Sequence, residues 1–248
     1  MTAKWTEDAR LVATYDVECA DRRDHDFYLE RVQALVARTV IDLGCGTGVF
    51  ATAVADLAVA CVGVDPAAAM LAAAQARDPG RRVTWLLGDP DALTSDAADL
   101  IVMMGHVAQY FVDDDDWQRA LAGCHRALRP DGRLTFETRN PTRRAWEHWT
   151  KAETYERLPH PDGGWFESWV DVVDVTGTPD APTETHAGHT ILPDGQHVIA
   201  HETLRFRTEA EITAALDTAG FVVESVLGDW DGSPYHAASP EMIFLARR

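Results

Sequence analysis

Thr39-Val40-Ile41-Asp42-Leu43-Gly44-Cys45-Gly46-Thr47-Gly48 is the stretch that decides the fold. An apolar strand pattern runs into three glycines at alternate positions, and a helix-forming run, Val49 to Leu57, follows at once. Glycine belongs where a backbone turns sharply or comes close to a ligand. A strand, a glycine turn and a helix N-terminus together form a cradle for a nucleotide-like ligand. The spacing is G-x-G-x-G and not G-x-G-x-x-G, and that difference bears on which ligand is expected.

Outward from this stretch, helical and strand patterns alternate from about residue 25 to about residue 140. Phe27, Leu29, Val32, Leu35 and Val36 have helical spacing before the first strand, Thr39–Leu43. Ala60–Val64 reads as a second strand ending at Asp65-Pro66, and Ala67–Arg77 as a helix with Pro66 suited to its first turn. Val83–Leu87 and Leu100–Met104 read as the third and fourth strands. Trp117, Leu121, Cys124 and Leu128 form one helical stripe, preceded by Asp113–Asp116, acids that complement a helix dipole. Arg129-Pro130-Asp131-Gly132 is a turn signal and Leu134–Thr138 a fifth strand. Repeated βα units with short connections predict a doubly wound α/β fold around a mostly parallel sheet.

The rhythm changes after Asn140-Pro141. Trp165–Val175, Thr183–Leu192 and His197–Arg207 read as strands, with Pro193-Asp194-Gly195-Gln196 as a hairpin turn, so an antiparallel insertion is expected. Glu209–Ala219 returns to helix, with Thr208 as N-cap and Gly220 beyond its end, and Phe221–Leu227 and Met242–Ala246 close the chain as strands. Three divisions are expected: residues 1–140 as N-terminal segments plus a ligand-binding core, 141–206 as the insertion, and 207–248 completing the core sheet.

Of the 248 residues 46% are apolar, enough for a full core. No apolar run reaches the ~18 residues that span a bilayer, and Met1 to Arg10 is too polar for a signal peptide. The four cysteines, Cys19, Cys45, Cys61 and Cys124, form no C-x-x-C pair, so reduced thiols and a cytoplasmic location are expected. With 22 basic against 40 acidic residues the formal net charge is −18. A field of that sign disfavours nucleic acid and anionic membrane as partners and leaves small neutral or cationic molecules. A monomer or homodimer is expected.

Asp65 closes the second strand and Asp89 the third, in Gly88-Asp89-Pro90. A carboxylate after strand two can accept both hydroxyls of a ribose, and one after strand three an exocyclic amine. Each has a local alternative, a helix cap for Asp65 and a β-turn for Asp89. In this order, at strand ends, they fit an adenosine-containing ligand.

These residues resemble the class I S-adenosylmethionine-dependent methyltransferases. The resemblance runs through Val40–Gly48, Gly63-Val64-Asp65-Pro66, Gly88-Asp89, Asp99-Leu100-Ile101-Val102 and Leu128-Arg129-Pro130-Asp131-Gly132-Arg133-Leu134. It implies a Rossmann-like methyltransferase fold of seven strands, N-terminal helices that lid the site, and S-adenosyl-L-methionine as cofactor. By position it implies that Asp42, Gly44, Cys45, Gly46 and Gly48 surround the methionine and ribose portions, Asp65 and Pro66 the ribose, Asp89 the adenine amine, and Met104 the end of strand four. Methyl transfer to oxygen or nitrogen of a small acceptor, by in-line displacement, is the function implied. A nicotinamide-dependent oxidoreductase and a catalytically silent cofactor-binding module remain as alternatives.

In-line displacement mainly requires alignment, and a base only where the acceptor must lose a proton. His106, after strand four, is the candidate base; a loop hydrogen bond is its alternative role. Gln109 and Tyr110 follow it as substrate contacts or helix starters. Arg139, with Glu137 and Asn140 at the end of strand five, is placed either on a substrate carboxylate or in an ion pair with Glu137 or Asp89. Tyr15 and Tyr28 lie in the N-terminal lid, and Trp230 in the last loop is placed on the substrate. His186, His189, His197 and His201 have spacings that invite zinc, but exposed hairpin histidines explain them better, and no metal is expected. Trp165, Phe166 and Trp169 read equally as an acceptor pocket or a sheet core.

Overall fold

The structure is a computed structural model that describes residues 4–21 and 23–248; Met1–Ala3 of the polar N-terminal stretch lie outside the described residues. Two helices, α1 (Ala9–Glu18) and α2 (Arg23–Ala34), precede a βα series: β1 (Thr39–Leu43), α3 (Val49–Asp56), β2 (Ala60–Asp65), α4 (Ala68–Arg77), β3 (Val83–Leu87), β4 (Ala98–Met103), α5 (Asp114–Ala127) and β5 (Leu128–Arg139). After a one-turn helix, α6 (Lys151–Thr154), come β6 (Glu156–Pro159), β7 (Trp165–Thr178), β8 (Ala181–Ile191) and β9 (His197–Arg205). The chain ends with α7 (Glu209–Thr218), β10 (Val222–Leu227) and β11 (Glu241–Arg247).

The core sheet has seven strands in the order β10-β11-β5-β4-β1-β2-β3, and β11 alone runs antiparallel to its neighbours. The chain builds β1 to β3 outward on one side, then crosses to β4 and β5 on the other. The reversal falls between β1 and β4, which pair directly at Val40–Asp42 and Leu100–Val102. Strand sides there are apolar on both faces and wholly buried: Ile41, Ile101 and Phe136 belong to one layer, Val40, Leu100 and Val102 to the other. Each such side chain contributes on the order of 1.5–3 kcal/mol. The insertion is a separate four-stranded antiparallel sheet, β6-β7-β8-β9.

Several boundaries differ from the sequence reading for physical reasons. The first helical stripe ends at Ala34, because Val36 turns into β1 with φ +50° and is 80% exposed. α4 starts at Ala68, since the Asp65 carboxylate accepts from the Ala67 amide at 2.8 Å and caps the helix from outside. The Arg129–Gly132 turn is an excursion within β5, whose pairing with β4 slips between Ala98 and Leu100. The aspartate run caps α5: Asp113 accepts from the amides of Asp115 and Asp116, and Asp114 pairs with the buried Arg207 at 2.8 Å. At α7, Thr208 and Glu211 form a reciprocal capping box.

Tyr28 is not a lid residue. It is fully buried, with Phe27, Phe50 and Trp230 around its ring, and its hydroxyl donates to the Glu137 carboxylate on β5. That bond ties α2 to the centre of the sheet. Tyr28→Phe removes it and leaves a buried carboxylate oxygen unpaired, a loss of about 1–3 kcal/mol that urea unfolding measures; a variant as stable as the wild type contradicts this role.

Candidate functional site

The glycine loop after β1 sits at the carboxyl edge, beside the reversal point, and its glycines do different work. Gly48 begins α3 with φ +76°, and a Cβ there would lie 2.5 Å from the Trp85 ring and 2.9 Å from Ala74. Its lack of a side chain serves the packing of α3. Gly46, at φ +52°, faces open space except for the Tyr15 ring at 3.9 Å. Its lack of a side chain serves a cavity.

That cavity has a volume of about 580 Å³. One half is walled by Asp42, Gly44, Cys45, Gly46 and Thr47 and by Met104, Gly105 and His106 at the end of β4. The other half is walled by the insertion sheet, through Ser168, Val170, His186, Gly188, Thr190, Ala200 and Glu202. Thr14, Tyr15 and Glu18 of α1 cover both. α1 is held there by Val12 against Ala67 and Met70, and by Leu11 against Leu192, Val198 and Ala200.

Asp42 is 1% exposed, and neither carboxylate oxygen has a hydrogen-bond partner. Burial, reinforced by the nearby Asp65, pushes its carboxyl up to about 8. A carboxylate of this kind, aimed into a cavity, calls for a cation. Asp65 is also buried and raised by burial, but two amides oppose the shift: Oδ1 accepts from Ala67 and Oδ2 from Gly46 at 2.9 Å. Each of its oxygens retains a lone pair. Asp65, Pro66 and Gly48 are not part of the cavity surface; Asp65 is buried and Pro66 exposed. Asp89 is exposed and outside the cavity, and its carboxylate accepts from the Asp91 amide, the turn alternative that its Gly-Asp-Pro setting left open. Burial pushes the Cys45 and Cys61 thiols up, so neither is a nucleophile at neutral pH.

His106 reaches the cavity in a left-handed conformation, φ +61°. Its amide donates to Glu137 Oε1 at 2.7 Å, and Nε2 lies 3.1 Å from Glu241. A carboxylate only accepts, so Nε2 carries the proton and Nδ1 the free lone pair. Glu137 is thus a shared anchor, holding Tyr28 on one oxygen and His106 on the other.

Arg139 also lines the cavity, and the ion pair with Glu137 or Asp89 does not form. Its guanidinium donates to Gln109 Oε1 at 2.9 Å and lies over the Trp149 ring at 5.2 Å. Gln109 is wholly buried and outside the cavity surface, so it positions Arg139 and is not itself a substrate contact. Trp230 packs on Phe27 and Tyr28, likewise outside the cavity. Tyr15 does line it, stacked on Trp5 at 5.0 Å between ring centres.

The hairpin histidines divide. His186 is buried and His189 faces the cavity, which corrects the reading of all four as exposed; His197 and His201 are exposed. Trp169 stacks flat on His189 at 4.8 Å, Phe166 is core, and Trp165 is exposed. Among the described residues, no three His, Cys, Asp or Glu side chains converge on a possible metal ion. Sequence reasoning missed Glu18 and Glu202. A signal existed for both: Glu18 shares a helical face with Leu11, Thr14 and Tyr15, and Glu202 is directly opposite His186 across the hairpin.

Two outcomes follow from this geometry. Gly48→Ala and Gly46→Ala both strain a left-handed backbone, but only the first drives a methyl into a ring. Its Tm falls by several degrees more than that of Gly46→Ala in thermal unfolding; equal losses contradict the assignment. For Asp42, the folded pKa of about 8 lies above the ordinary carboxyl value, so the folded protein keeps a proton that the unfolded chain releases. Stability from this group therefore falls as pH rises from about 4 to about 8, by up to ~1.4 kcal/mol per unit, and then levels. Asp42→Asn lacks this component, so the variant gains on the wild type across that range in paired thermal melts. A pH-independent difference contradicts it.

Residues 40–132 match the family described as "Methyltransferase domain". The chain is 29% identical over 216 residues to a cypemycin N-terminal methyltransferase of a Streptomyces species, covering 86% of this chain and 84% of that protein. Its fold matches the CcbJ methyltransferase from Streptomyces caelestis with a TM-score of 0.78 at 20% identity, over 98% of both chains. It also matches the S-adenosylmethionine-bound amino pentose methyltransferase CalS10 from Micromonospora echinaspora, with a TM-score of 0.62 at 19% identity over 91% and 90% of the two chains. The unpaired Asp42 and the open face of Gly46 fit such a donor, whose amino group is cationic. The chain carries a methyltransferase domain over residues 40–132 and is an enzyme that uses S-adenosylmethionine to methylate its substrate.

Proposed function

We propose that the acceptor is the nitrogen of a small amine. The observation that carries this reading is the charge of the acceptor half of the cavity. Glu18, Glu156 and Glu202 line it, and burial raises the carboxyls of Glu18 and Glu202, with mutual repulsion adding to the rise at Glu18. A cationic ammonium relieves that repulsion, whereas a phenol or alcohol does not. Two similar proteins named above act, by their names, on a peptide N-terminus and on an amino pentose, and both of these carry an amine.

When bound, S-adenosylmethionine supplies a methyl group already activated on a sulfonium. In this reading Asp42 holds the donor's amino group, and Gly44, Cys45 and Gly46 give its methionine and ribose portions room. Asp65 accepts the ribose hydroxyls on its free lone pairs, Pro66 shapes the turn beside them, and Met104 packs at the strand end. Asp89 keeps one oxygen for the adenine amine. Tyr15 closes over Gly46 and Gly105, within 3.9 Å of where each Cβ would be. Tyr15 and Arg139 contact the acceptor. His106 is the catalytic group beside the methyl position: with Nε2 fixed on Glu241, its Nδ1 lone pair orients an acceptor N–H. The negative charge of the chain disfavours nucleic acid as acceptor. The buried thiols of Cys45, Cys61 and Cys124, and no described helix long and apolar enough to cross a membrane, fit a cytoplasmic enzyme.

The test is transfer from labelled donor to a panel of amino sugars, cyclic secondary amines, peptides with free N-termini, phenols and alcohols. Amines accept label and phenols do not. Transfer confined to phenols or alcohols overturns the reading.

A further inference from the structure

One cluster on the insertion sheet has no counterpart in the donor site. Glu184 and His186 stand two positions apart on β8, so both point to the same face, and His186 is paired across the hairpin with Glu202 of β9. Glu184 is wholly buried; its Oε2 lies 2.9 Å from His186 Nδ1, and its Oε1 has no partner. His186 Nε2 lies 3.9 Å from Glu202 Oε2. Glu202 Oε2 also accepts from the Tyr110 hydroxyl at 2.7 Å. Tyr110, His186 and Glu202 line the cavity, while Glu184 lies behind them.

Because a carboxylate only accepts, Glu184 fixes the proton on Nδ1 of His186 and leaves the Nε2 lone pair facing Glu202. The order from the cavity inward is carboxylate, imidazole, buried carboxylate. Such an arrangement orients a histidine and stabilises it when it gains charge.

Resting on the amine reading above, we propose that Glu202, His186 and Glu184 form a proton relay that takes the proton from the acceptor's ammonium. An ammonium has no lone pair and cannot attack a methyl group. Its N–H bond breaks toward a Glu202 oxygen, which forms the O–H bond, and the electron pair stays on nitrogen to form the bond to the methyl carbon. The proton then passes from Glu202 to Nε2 of His186, and the ionised Glu184 balances the imidazolium. His106 orients the nitrogen from the opposite side.

The groups facing this array are few. Tyr110 donates to Glu202 from the turn after β4, and Arg139, from the end of β5, favours its ionised form. Glu18 of α1, with Glu156 of β6 beyond it, faces the relay as a like charge. Trp149 covers the His186 ring at 5.0 Å and adds no charge. Burial raises the Glu202 carboxyl, which suits a group that must accept a proton at neutral pH.

Two readouts test the relay. The first needs no acceptor: in protein labelled with ¹⁵N-histidine, with the His186 signal assigned by its loss in His186→Asn, Nδ1 carries the proton. In the isosteric Glu184→Gln the Nδ1 proton is no longer held and the Nε2–H tautomer gains a share of the His186 signal. An unchanged tautomer in that variant, or a wild-type proton on Nε2, overturns the proposal. The second uses an amine found by the panel. Glu202→Gln and Glu184→Gln each lower kcat at least tenfold, the KM for S-adenosylmethionine is unchanged, and the acid limb of the pH profile moves. Wild-type kcat and pH profile in folded variants overturn the relay and leave the amine reading standing. Transfer to phenols alone overturns both.

Discussion

Burying a carboxylate without a hydrogen-bond donor costs several kcal/mol, and this fold does so at Asp42, near the end of β1 and just before its glycine loop. The position is imposed by topology. β1 is the strand from which the sheet grows in both directions, so its carboxyl end opens into the gap between two outgoing paths. A side chain there is enclosed by β2 and β4 on either side and by α3 above, yet faces the cavity. Burial raises the Asp42 carboxyl to about 8, and a cation beside it in the cavity favours the ionised form. The glycine loop, the closeness of Asp65 and the placement of His106 at the end of β4 all depend on that same gap.

Much of this was legible in the local pattern. Strand–glycine–helix order, acids closing successive strands and the change to alternation after Asn140 are short-range signals, and they map onto the core and the insertion. What escaped depends on pairs distant in the chain. Tyr28 and Glu137 are 109 positions apart, and nothing in either neighbourhood marks them as partners. Gln109 and Trp230 are polar and aromatic residues in loops near the functional edge, where ligand contacts are common. Only the tertiary arrangement shows that one supports Arg139 and the other packs on α2.

The half of the cavity walled by the insertion was the less legible because a small antiparallel sheet has no motif. Its information lies in parity. Alternate residues of β8 and β9 put His186, Gly188, Thr190, Ala200 and Glu202 on the wall of the cavity. Gly188 and Ala200, facing each other, keep the centre of that wall shallow, while the polar groups stand at its ends. The result is a shallow floor with polar groups at the rim.

The helix α1 has a consequence for the energetics of turnover. Two of its apolar contacts, to Ala67 and Met70 beside the glycine loop and to Leu192 and Val198 on the insertion side, are made by adjacent residues, Val12 and Leu11. One rigid rod is therefore seated on both halves of the cavity at once. Anything that fixes this rod from one side fixes it for the other side as well, so the entropy of ordering it is met once for both. The two halves of the cavity are thereby linked through their roof, in addition to the direct contact that methyl transfer requires.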